Sequence, residues 1–288
     1  MNEAVAQLLS RYRPQTLQDY RQALREILQD VALLGLWRSN FFDRTAFYGG
    51  TALRILHGLD RFSEDLGFSL LAPDPSFDLS RYTASLEREV RAFGFDVTCE
   101  AKAAEENRPI RSAFLKADTV KELLTIEAHP EVIAGIPEGQ LIKINLEVDT
   151  DPPPGFETQV RFLLQPVPFS VRTYSLPDLF AGKMHALLYR RWGDRVKGRD
   201  WYDFVWFAGN HPELRLSHLE QRMRQSGDWT GAGTLTGTAL QELLHEAIEA
   251  LDVDRARREV EPFLRDGAVL RVWSREFFRE VAGRIVFV

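Results

Sequence analysis

Apolar residues recur at helical spacing near the beginning of the chain, from about Val5 to Leu36. This period of three to four residues predicts amphipathic helices. Their apolar stripe consists of Leu24, Ile27, Leu28, Val31 and Leu34. The same spacing returns further on and predicts a helix that begins near Asp78 or Ser80 and continues to about Phe93.

Shorter alternating runs of apolar and polar residues lie between the helical regions and predict β-strands. The predicted strands are residues 45–48, 66–71, 96–101, 112–117, 141–148 and 159–165. The fifth of them alternates most clearly, because one side carries Ile144, Leu146 and Val148. Its opposite side therefore carries the polar residues Lys143, Asn145, Glu147 and Asp149.

The chain becomes helical again after Ser175 and stays so almost to its end. Pro177 and Asp178 mark the start, because proline fits the first helical turn and a carboxylate stabilises the positive end of the helix dipole. The predicted helices are residues 176–192, 200–208, 213–225, 236–250 and 254–265. Helices, then strands, then helices predict an α+β fold with helical flanks. We divide it into residues 1–175, an α+β domain with N-terminal helices, and residues 176–288, a helical domain.

Composition and charge restrict the classes of function. The 288 residues are 44% hydrophobic, which is enough to bury a core. The 36 basic and 42 acidic residues give a net charge of −6, so the protein does not bind polyanions over its whole surface. Cys99 is the only cysteine, which excludes an internal disulfide bond and a zinc site built on several cysteines.

One local stretch of positive charge is a candidate RNA-binding segment. Within ten residues of sequence it contains Arg190, Arg191, Arg195, Lys197 and Arg199. Such a run contacts phosphates in some proteins and is a solvated helix face in others, and both interpretations stay open.

Nothing in the hydropathy pattern predicts a membrane segment. The longest apolar stretches are far shorter than the roughly 20 residues that cross a bilayer. The N-terminal sequence lacks the basic region followed by an apolar region that marks an export signal. We therefore expect a cytoplasmic protein with no membrane partner.

Gly49, Gly50 and Thr51 form a candidate phosphate-binding turn between strand 45–48 and a helix. Thr51 is predicted to be the N-cap of this helix. Backbone N–H groups at a helix N-terminus bind phosphate well. Such turns also occur for packing reasons alone. The interpretation as a phosphate site therefore depends on the residues that follow the turn.

A carboxylate, Asp65, lies shortly after this turn at the start of strand 66–71. Hard cations such as Mg²⁺ bind carboxylate and phosphate oxygens together, so this order of residues suits a site for Mg²⁺ and an NTP. Two carboxylates separated by one residue on a strand would share a face and could share metals. In this chain Gly67 occupies the second of these positions.

Four ordered blocks make the pattern more specific: residues 49–54, 61–66, 183–188 and 199–204. Together with the strand that ends near Asp149, they resemble the AbiEii/AbiGii toxin family, whose members are similar to minimal nucleotidyltransferases of the polymerase-beta superfamily. The resemblance implies a nucleotidyltransferase-like mixed sheet and a C-terminal helical domain. It implies a toxin of a toxin–antitoxin or phage-defence system that moves a nucleoside monophosphate from an NTP to an acceptor, naturally the tRNA 3′ end. Mg²⁺ would be the cofactor and a cognate antitoxin a partner.

The resemblance and the polar face of strand 141–148 together assign roles to residues of this chain. The catalytic residues would be Asp65, Glu147, Lys183 and Asp200. The Mg²⁺ ligands would be Asp65 and Glu147. Nucleotide contacts would come from Gly49, Gly50, Thr51, Arg61, Ser63 and Lys183.

Each charged residue in this set also has an ordinary structural interpretation. Lys183 would be an exposed helix lysine, and Arg61 a surface arginine. Asp200 would be a plain helix N-cap. Asp203 would either pair with Arg199 or contact substrate.

Gly67 is where this chain departs from the family pattern, which has a second metal-binding aspartate there. Three interpretations stay open. Glu147 or Asp149 completes a metal site with Asp65, and Glu147 is favoured because it lies in the middle of its strand. Alternatively, nucleotide binding persists without turnover, or Gly67 is a natural or introduced change that silences a toxic enzyme. For the strand carboxylates, an ion pair with Lys143 on a solvated sheet face is the structural alternative.

We favour a Mg²⁺-dependent nucleotidyltransferase toxin whose activity is reduced by Gly67. The alternative is an impaired module that binds nucleotide, RNA or an antitoxin without reaction. A third interpretation is a scaffold in which the motif survives only as an element of the fold.

Overall fold

The computed structural model describes residues 3–103, 109–118, 122, 140–190 and 198–288. The helices in these residues are α1 (Glu3–Leu9), α2 (Leu17–Arg38), α3 (Gly49–His57), α4 (Ser80–Ala92), α5 (Leu176–Tyr189), α6 (Gly198–Asn210), α7 (Leu216–Ser226), α8 (Gly237–Ala250), α9 (Val253–Val260) and α10 (Arg275–Ala282). Short 3-10 helices lie at Phe41–Asp43, Glu261–Phe263 and Gly267–Val272. Within this part of the chain, no helix is both long and apolar enough to cross a lipid bilayer.

The strands are β1 (Thr45–Tyr48), β2 (Leu66–Leu70), β3 (Val97–Ala101), β4 (Ile110–Asp118), β5 (Leu141–Asp149), β6 (Thr158–Leu163), β7 (Phe169–Tyr174), β8 (Glu213–Leu214) and β9 (Val286–Phe287). In the described residues β1 to β7 form one sheet in the order β3-β4-β5-β2-β1-β7-β6, and β8 pairs with β9. The large sheet is mixed: β2 is antiparallel to β1 and parallel to β5. A mixed sheet with flanking helices confirms the predicted α+β fold.

The chain divides into two compact units. The first comprises Met1–Ala52, Glu64–Pro152 and Val160–Thr173, and it contains most of the large sheet. The second comprises Leu53–Ser63, Pro153–Gln159 and Tyr174–Val288. The sequence-based division at residue 175 stays a prediction. The second unit begins its longest segment close to that residue, and it also includes two short segments from earlier in the chain.

Helix α2 supplies much of the core of the first unit. It begins with a capping box, in which Thr16 and Asp19 each accept a hydrogen bond from the backbone N–H of the other. Its predicted apolar stripe is buried, and the helix packs against α4 and β5. On the sheet, the ring centroid of Phe68 lies 4.9 Å from that of Phe41 and 5.2 Å from that of Phe47. These buried rings join β1 and β2 to the short helix that contains Phe41.

Helices α5 and α6 pack together in the second unit. The rings of Phe180 and Phe207 are stacked with centroids 4.5 Å apart. Gly198 lets α6 begin directly against α9, because a β-carbon at this position would overlap the carbonyl oxygen of Ala256. The start of the helix that carries Asp200 is therefore fixed by close backbone packing.

Thr51 is not the helix N-cap that the sequence predicts, and Asp200 is not the plain N-cap of its structural interpretation. Helix α3 begins at Gly49 and α6 at Gly198, so both residues lie in the first turn of their helices. Gly49 has φ = +87°, a conformation that glycine adopts without strain.

Strand β7 is not among the predicted strands, although its buried side chains alternate with half-buried ones. Thr173 on this strand donates a 2.8 Å hydrogen bond from Oγ1 to the carbonyl oxygen of Phe47. The predicted helix 213–225 begins later, at Leu216, because β8 occupies its first residues. The last residues of the predicted helix 176–192 lie outside the described residues from 191 onward.

We expect Phe68→Ala to lower the free energy of unfolding by about 3–5 kcal/mol, because it leaves a cavity among buried rings. Phe162→Ala is the control, since Phe162 is 76% exposed, and a change within about 0.5 kcal/mol is expected there. Urea denaturation of both variants measures the difference. Similar losses in the two variants would contradict the placement of Phe68 in the core.

Candidate functional site

The parallel pairing of β2 with β5 positions the candidate metal ligands. Gly67 lies opposite Glu147, and Ser69 lies opposite Asp149. Paired residues on neighbouring strands point to the same side of a sheet, so these four residues share one face. Asp65 is exposed and lies two residues before Gly67, immediately before β2 begins at Leu66. Glu147 therefore lies opposite Gly67 on this face, and Asp65 immediately precedes the strand that carries Gly67.

Glu147 is half-buried and accepts a 2.7 Å hydrogen bond from Asn145 Nδ2. Among the described residues Lys143 does not pair with it. The Nζ of Lys143 lies instead 3.5 Å from the centroid of the Phe114 ring, a cation–π contact. The structure therefore gives no support to an ion pair of Lys143 with Glu147 in the described residues, and the alternative for Asp149 stays a prediction. Asn145 was missed as a partner of the site, although its place on the polar face of the strand was the available signal.

Gly67 leaves little room at the position where the family pattern has an aspartate. A β-carbon there would lie 3.2 Å from the carbonyl oxygen of Tyr48 on the neighbouring strand β1. On its other side Gly67 is paired with Glu147. An aspartate at this position would need a small shift of β1 and would stand beside Glu147.

The turn between β1 and α3 has the geometry of a phosphate-binding turn. Gly49 and Gly50 occupy the first two positions of α3, where backbone N–H groups have no acceptor within the helix. Thr51 is fully buried, and its Oγ1 donates a 2.6 Å hydrogen bond to the carbonyl oxygen of Asp65. The hydroxyl group that was predicted to contact nucleotide therefore contacts the backbone of the candidate metal ligand.

The described residues contain fewer carboxylates at this place than a metal site made of protein side chains alone requires. In the part of the chain that the structure describes, no group of three His, Cys, Asp or Glu side chains could hold a metal ion. Mg²⁺ is usually bound by one or two protein carboxylates together with substrate phosphates. Two carboxylates such as those of Asp65 and Glu147 would be sufficient only if the oxygens of an NTP completed the shell.

In the second unit, Asp203 binds two cations at a fully buried position. Arg61 donates to its carboxylate from Nε at 2.6 Å and from a terminal nitrogen at 2.7 Å, and such bidentate contacts are among the strongest hydrogen bonds in proteins. The Nζ of Lys183 lies 2.6 Å from Oδ2 of the same carboxylate. The side chains of Arg61 and Lys183 are only 3% and 15% exposed. Arg61 is therefore not a surface arginine, and Lys183 is not an exposed helix lysine.

These two cations keep Asp203 ionised. Burial raises the pKa of the Asp203 carboxyl, but the charges of Arg61 and Lys183 lower it by more, so this pKa lies below its usual value. Burial lowers the pKa of Arg61, while Asp203 and, to a smaller extent, Asp200 raise it above its usual value. Arg61 and Asp203 are therefore both charged near neutral pH.

Asp200 lies three residues before Asp203 in α6 and is also buried. Because its charge acts on Arg61, it belongs to the same group of charges as Arg61, Asp203 and Lys183. Ser63, two residues after Arg61, is buried as well. The second unit thus brings together three of the predicted site residues: Arg61, Lys183 and Asp200.

The basic run of the sequence is described only in part. Arg190 is exposed at the end of α5. Arg199 does not pair with Asp203, because its Nε lies 3.6 Å from Glu259 and its guanidinium lies 4.2 Å from the centroid of the Phe263 ring. The residues of the run that lie outside the described part of the chain are Arg191, Arg195 and Lys197.

The chain is similar to known proteins over most of its length. The model of the family described as nucleotidyl transferase AbiEii toxin, type IV TA system, matches residues 31–281. No curated protein matches the chain. The crystal structure of JHP933 from Helicobacter pylori is similar over 90% of this chain and 87% of that chain, at 15% identity and a TM-score of 0.48. A second crystal structure, of a candidate nucleotidyltransferase from H. pylori, is similar over 90% of this chain and 90% of that chain, at 16% identity and a TM-score of 0.46. Neither structural similarity is an argument for function.

Asp203→Asn leaves two cations without their buried counter-charge, so we expect a loss of about 3–5 kcal/mol in the free energy of unfolding. Asp254→Asn is the control, because the pair of Asp254 with Arg257 lies at the surface and contributes about 1 kcal/mol or less. Urea denaturation of both variants near neutral pH measures the two losses.

The effect of Asp203→Asn should also depend on pH. The folded-state pKa of Asp203 is lowered, so its contribution to stability is fully present above the unfolded-state pKa of about 4. This contribution is lost as the pH falls through the folded-state pKa. A loss no larger than that of Asp254→Asn, or one that grows on acidification, would contradict the buried pairing.

Proposed function

The chain belongs to the AbiEii family of nucleotidyltransferase toxins of type IV toxin–antitoxin systems, and we propose that it transfers a nucleoside monophosphate from an NTP to the 3′ end of a tRNA. Membership implies a nucleotide substrate and an antitoxin partner. The register of β2 with β5 supports the proposal most directly, because it pairs Glu147 with Gly67, which follows Asp65 by two residues.

In this proposal Asp65 and Glu147 hold Mg²⁺ together with phosphate oxygens of the NTP. The ion neutralises charge on the phosphates during transfer. Asn145 restricts the orientation of Glu147 through its 2.7 Å hydrogen bond to Oε1. Gly49 and Gly50 let a phosphate approach the backbone closely, where N–H groups at the start of α3 donate to it.

Lys183 is the proposed phosphate-binding cation. Its ammonium group has three N–H donors, and the contact with Asp203 uses one of them. Arg61 uses Nε and one terminal nitrogen for Asp203 and the other terminal nitrogen for the carbonyl oxygen of Phe62. The role of Arg61 is therefore to hold Asp203 and, through Asp203, Lys183. Ser63 stays a candidate for nucleotide binding.

The transfer itself joins the 3′-hydroxyl oxygen of the acceptor to the α-phosphorus of the NTP and breaks the bond to pyrophosphate. A carboxylate that takes up the hydroxyl proton assists this attack. Glu147 and Asp200 are the candidates for this role. Asp200→Asn tests the second candidate, since an amide keeps the shape of the side chain but does not accept a proton. Glu147→Gln also changes a proposed Mg²⁺ ligand, so its effect on the rate is compared with its effect on Mg²⁺ binding.

The acceptor RNA is proposed to bind through local positive charge. With a net charge of −6, the protein does not attract RNA over its whole surface. Arg190 is exposed and suited to a phosphate contact. Arg199 is held by Glu259 and is expected to contribute less. The remaining candidates of this run are Arg191, Arg195 and Lys197.

A protein that binds NTP without transferring it is the second candidate function. It is favoured by Gly67, which stands where the family pattern has a metal-binding aspartate, and by the lack of a three-residue metal group among the described residues. This candidate predicts Mg²⁺-dependent NTP binding with no modified RNA.

Incubation of the purified chain with tRNA, Mg²⁺ and each NTP labelled at the α-phosphate tests the proposal. We expect label on the tRNA with the wild type. Asp65→Asn should lower the rate at least about 100-fold, because a metal ligand is lost. The control is Asp74→Asn, an aspartate that pairs with Arg44 after the end of β2, and it should leave the rate unchanged. Gly67→Asp should raise the rate by supplying a second carboxylate on β2.

No label on tRNA with either the wild type or Gly67→Asp would overturn the transferase proposal. Calorimetry then distinguishes the remaining candidates. Mg²⁺-dependent NTP binding would support the second function, whereas no NTP binding at all would leave only a scaffold that has kept the fold.

A further inference from the structure

Two buried side chains hold the backbone on either side of Asp65. Gln29 of α2 donates a 2.9 Å hydrogen bond from Nε2 to the carbonyl oxygen of Glu64. Thr51 of α3 donates its 2.6 Å hydrogen bond to the carbonyl oxygen of Asp65 itself. Gln29 and Thr51 have no exposed surface, and both belong to the first unit together with Asp65.

The two hydrogen bonds act on the two peptide groups that flank one α-carbon. A peptide group is planar, so the backbone at Asp65 has only two soft dihedral angles, φ and ψ. One peptide plane contains the carbonyl group of Glu64, and the other contains the carbonyl group of Asp65. When both planes are held, φ and ψ of Asp65 are held as well. The direction of its Cα–Cβ bond is then fixed, and only the side-chain torsions remain to adjust.

It is unusual that buried side chains bind the backbone at Glu64 and Asp65. The side chains of Glu64 and Asp65 are both exposed, so water could solvate carbonyl groups at this position. The backbone is instead held from the interior by Gln29, a polar residue whose burial costs free energy unless it is hydrogen-bonded. The same helix contacts the segment again, since Arg25 lies 3.3 Å from Oε1 of Glu64. Leucine would fill a buried position of α2 without any hydrogen-bonding requirement.

We propose that Gln29 and Thr51 are positioning residues that fix the direction in which Asp65 presents its carboxylate to a divalent cation. The proposal rests on the proposed function, because it takes Asp65 as a metal ligand. Gln29 lies before the family match, which begins at residue 31. Gly67 leaves this chain with one carboxylate fewer than the family pattern. Metal binding should therefore depend more strongly on the orientation of Asp65.

Three variants separate this role from simple packing. Gln29→Met keeps the length of the side chain but removes the donor. Thr51→Val keeps the branched shape but removes the hydroxyl, whereas Thr51→Ser retains it. With Mn²⁺ as the probe and each of ATP, GTP, CTP and UTP present, electron paramagnetic resonance measures the Mn²⁺ dissociation constant. We expect Gln29→Met and Thr51→Val to bind Mn²⁺ about 10–100-fold more weakly, as is usual when a residue that orients a metal ligand is lost.

Gln22→Met is the matched control on the same helix. Gln22 is nearly as buried as Gln29, but it donates to Glu26 and does not contact the Asp65 segment. Its replacement should lower the melting temperature and leave the Mn²⁺ dissociation constant unchanged. Thr51→Ser should likewise bind Mn²⁺ about as tightly as the wild type. A purely structural role of Gln29 and Thr51 would lower the melting temperature without weakening Mn²⁺ binding.

The outcomes distinguish this proposal from the proposed function. If the wild type binds Mn²⁺ with an NTP and folded Gln29→Met and Thr51→Val bind it equally well, the positioning role is overturned and the proposed function stands. If Gln29→Met does not fold, the comparison of Thr51→Val with Thr51→Ser decides. If the wild type binds no Mn²⁺ in the presence of any NTP, Asp65 is not a metal ligand and both proposals fail.

Discussion

The register of β2 between β1 and β5 is the constraint on which the candidate site depends. Side chains alternate along a strand, so a shift by one residue would turn Glu147 into the core and Leu146 towards the polar face. Gly67 belongs to the same constraint, because β1 approaches it too closely for a larger side chain to fit without movement. The chain therefore has close backbone packing at the position where its family pattern has a second aspartate. Glu147 remains opposite this position, and Asp65 remains immediately before β2.

In the second unit, a buried group of charged side chains holds the candidate site residues in place. Asp203 is fully buried and pairs with both Arg61 and Lys183, so its removal would leave two cations without the carboxylate that both of them contact. The pairing ties α5 and α6 to the short segment Leu53–Ser63. Lys183 is consequently held in one position by an ion pair, although a lysine side chain by itself is long and flexible.

The sequence predicts the features that depend on local periodicity. The alternation of residues 141–148 was sufficient to place Glu147 on a polar face, because the two-residue period of a strand is a property of neighbouring residues. The partner of Asp203 could not be predicted in this way, since Arg61 lies 142 positions away. Gln29 left no local signal either, because its acceptor is a backbone carbonyl 35 positions along the chain. Thr51 was placed at a helix start, but its hydroxyl group holds Asp65 instead.

The number of Mn²⁺ ions bound per chain tests the account most directly. In a titration with a non-hydrolysable NTP, followed by electron paramagnetic resonance, the carboxylates of Asp65 and Glu147 predict one bound ion in the wild type. Gly67→Asp should add a second, because it places a further carboxylate opposite Glu147 and two residues after Asp65. Two ions in the wild type, or none, would contradict the claim that Asp65 and Glu147 form a metal site reduced by one ligand.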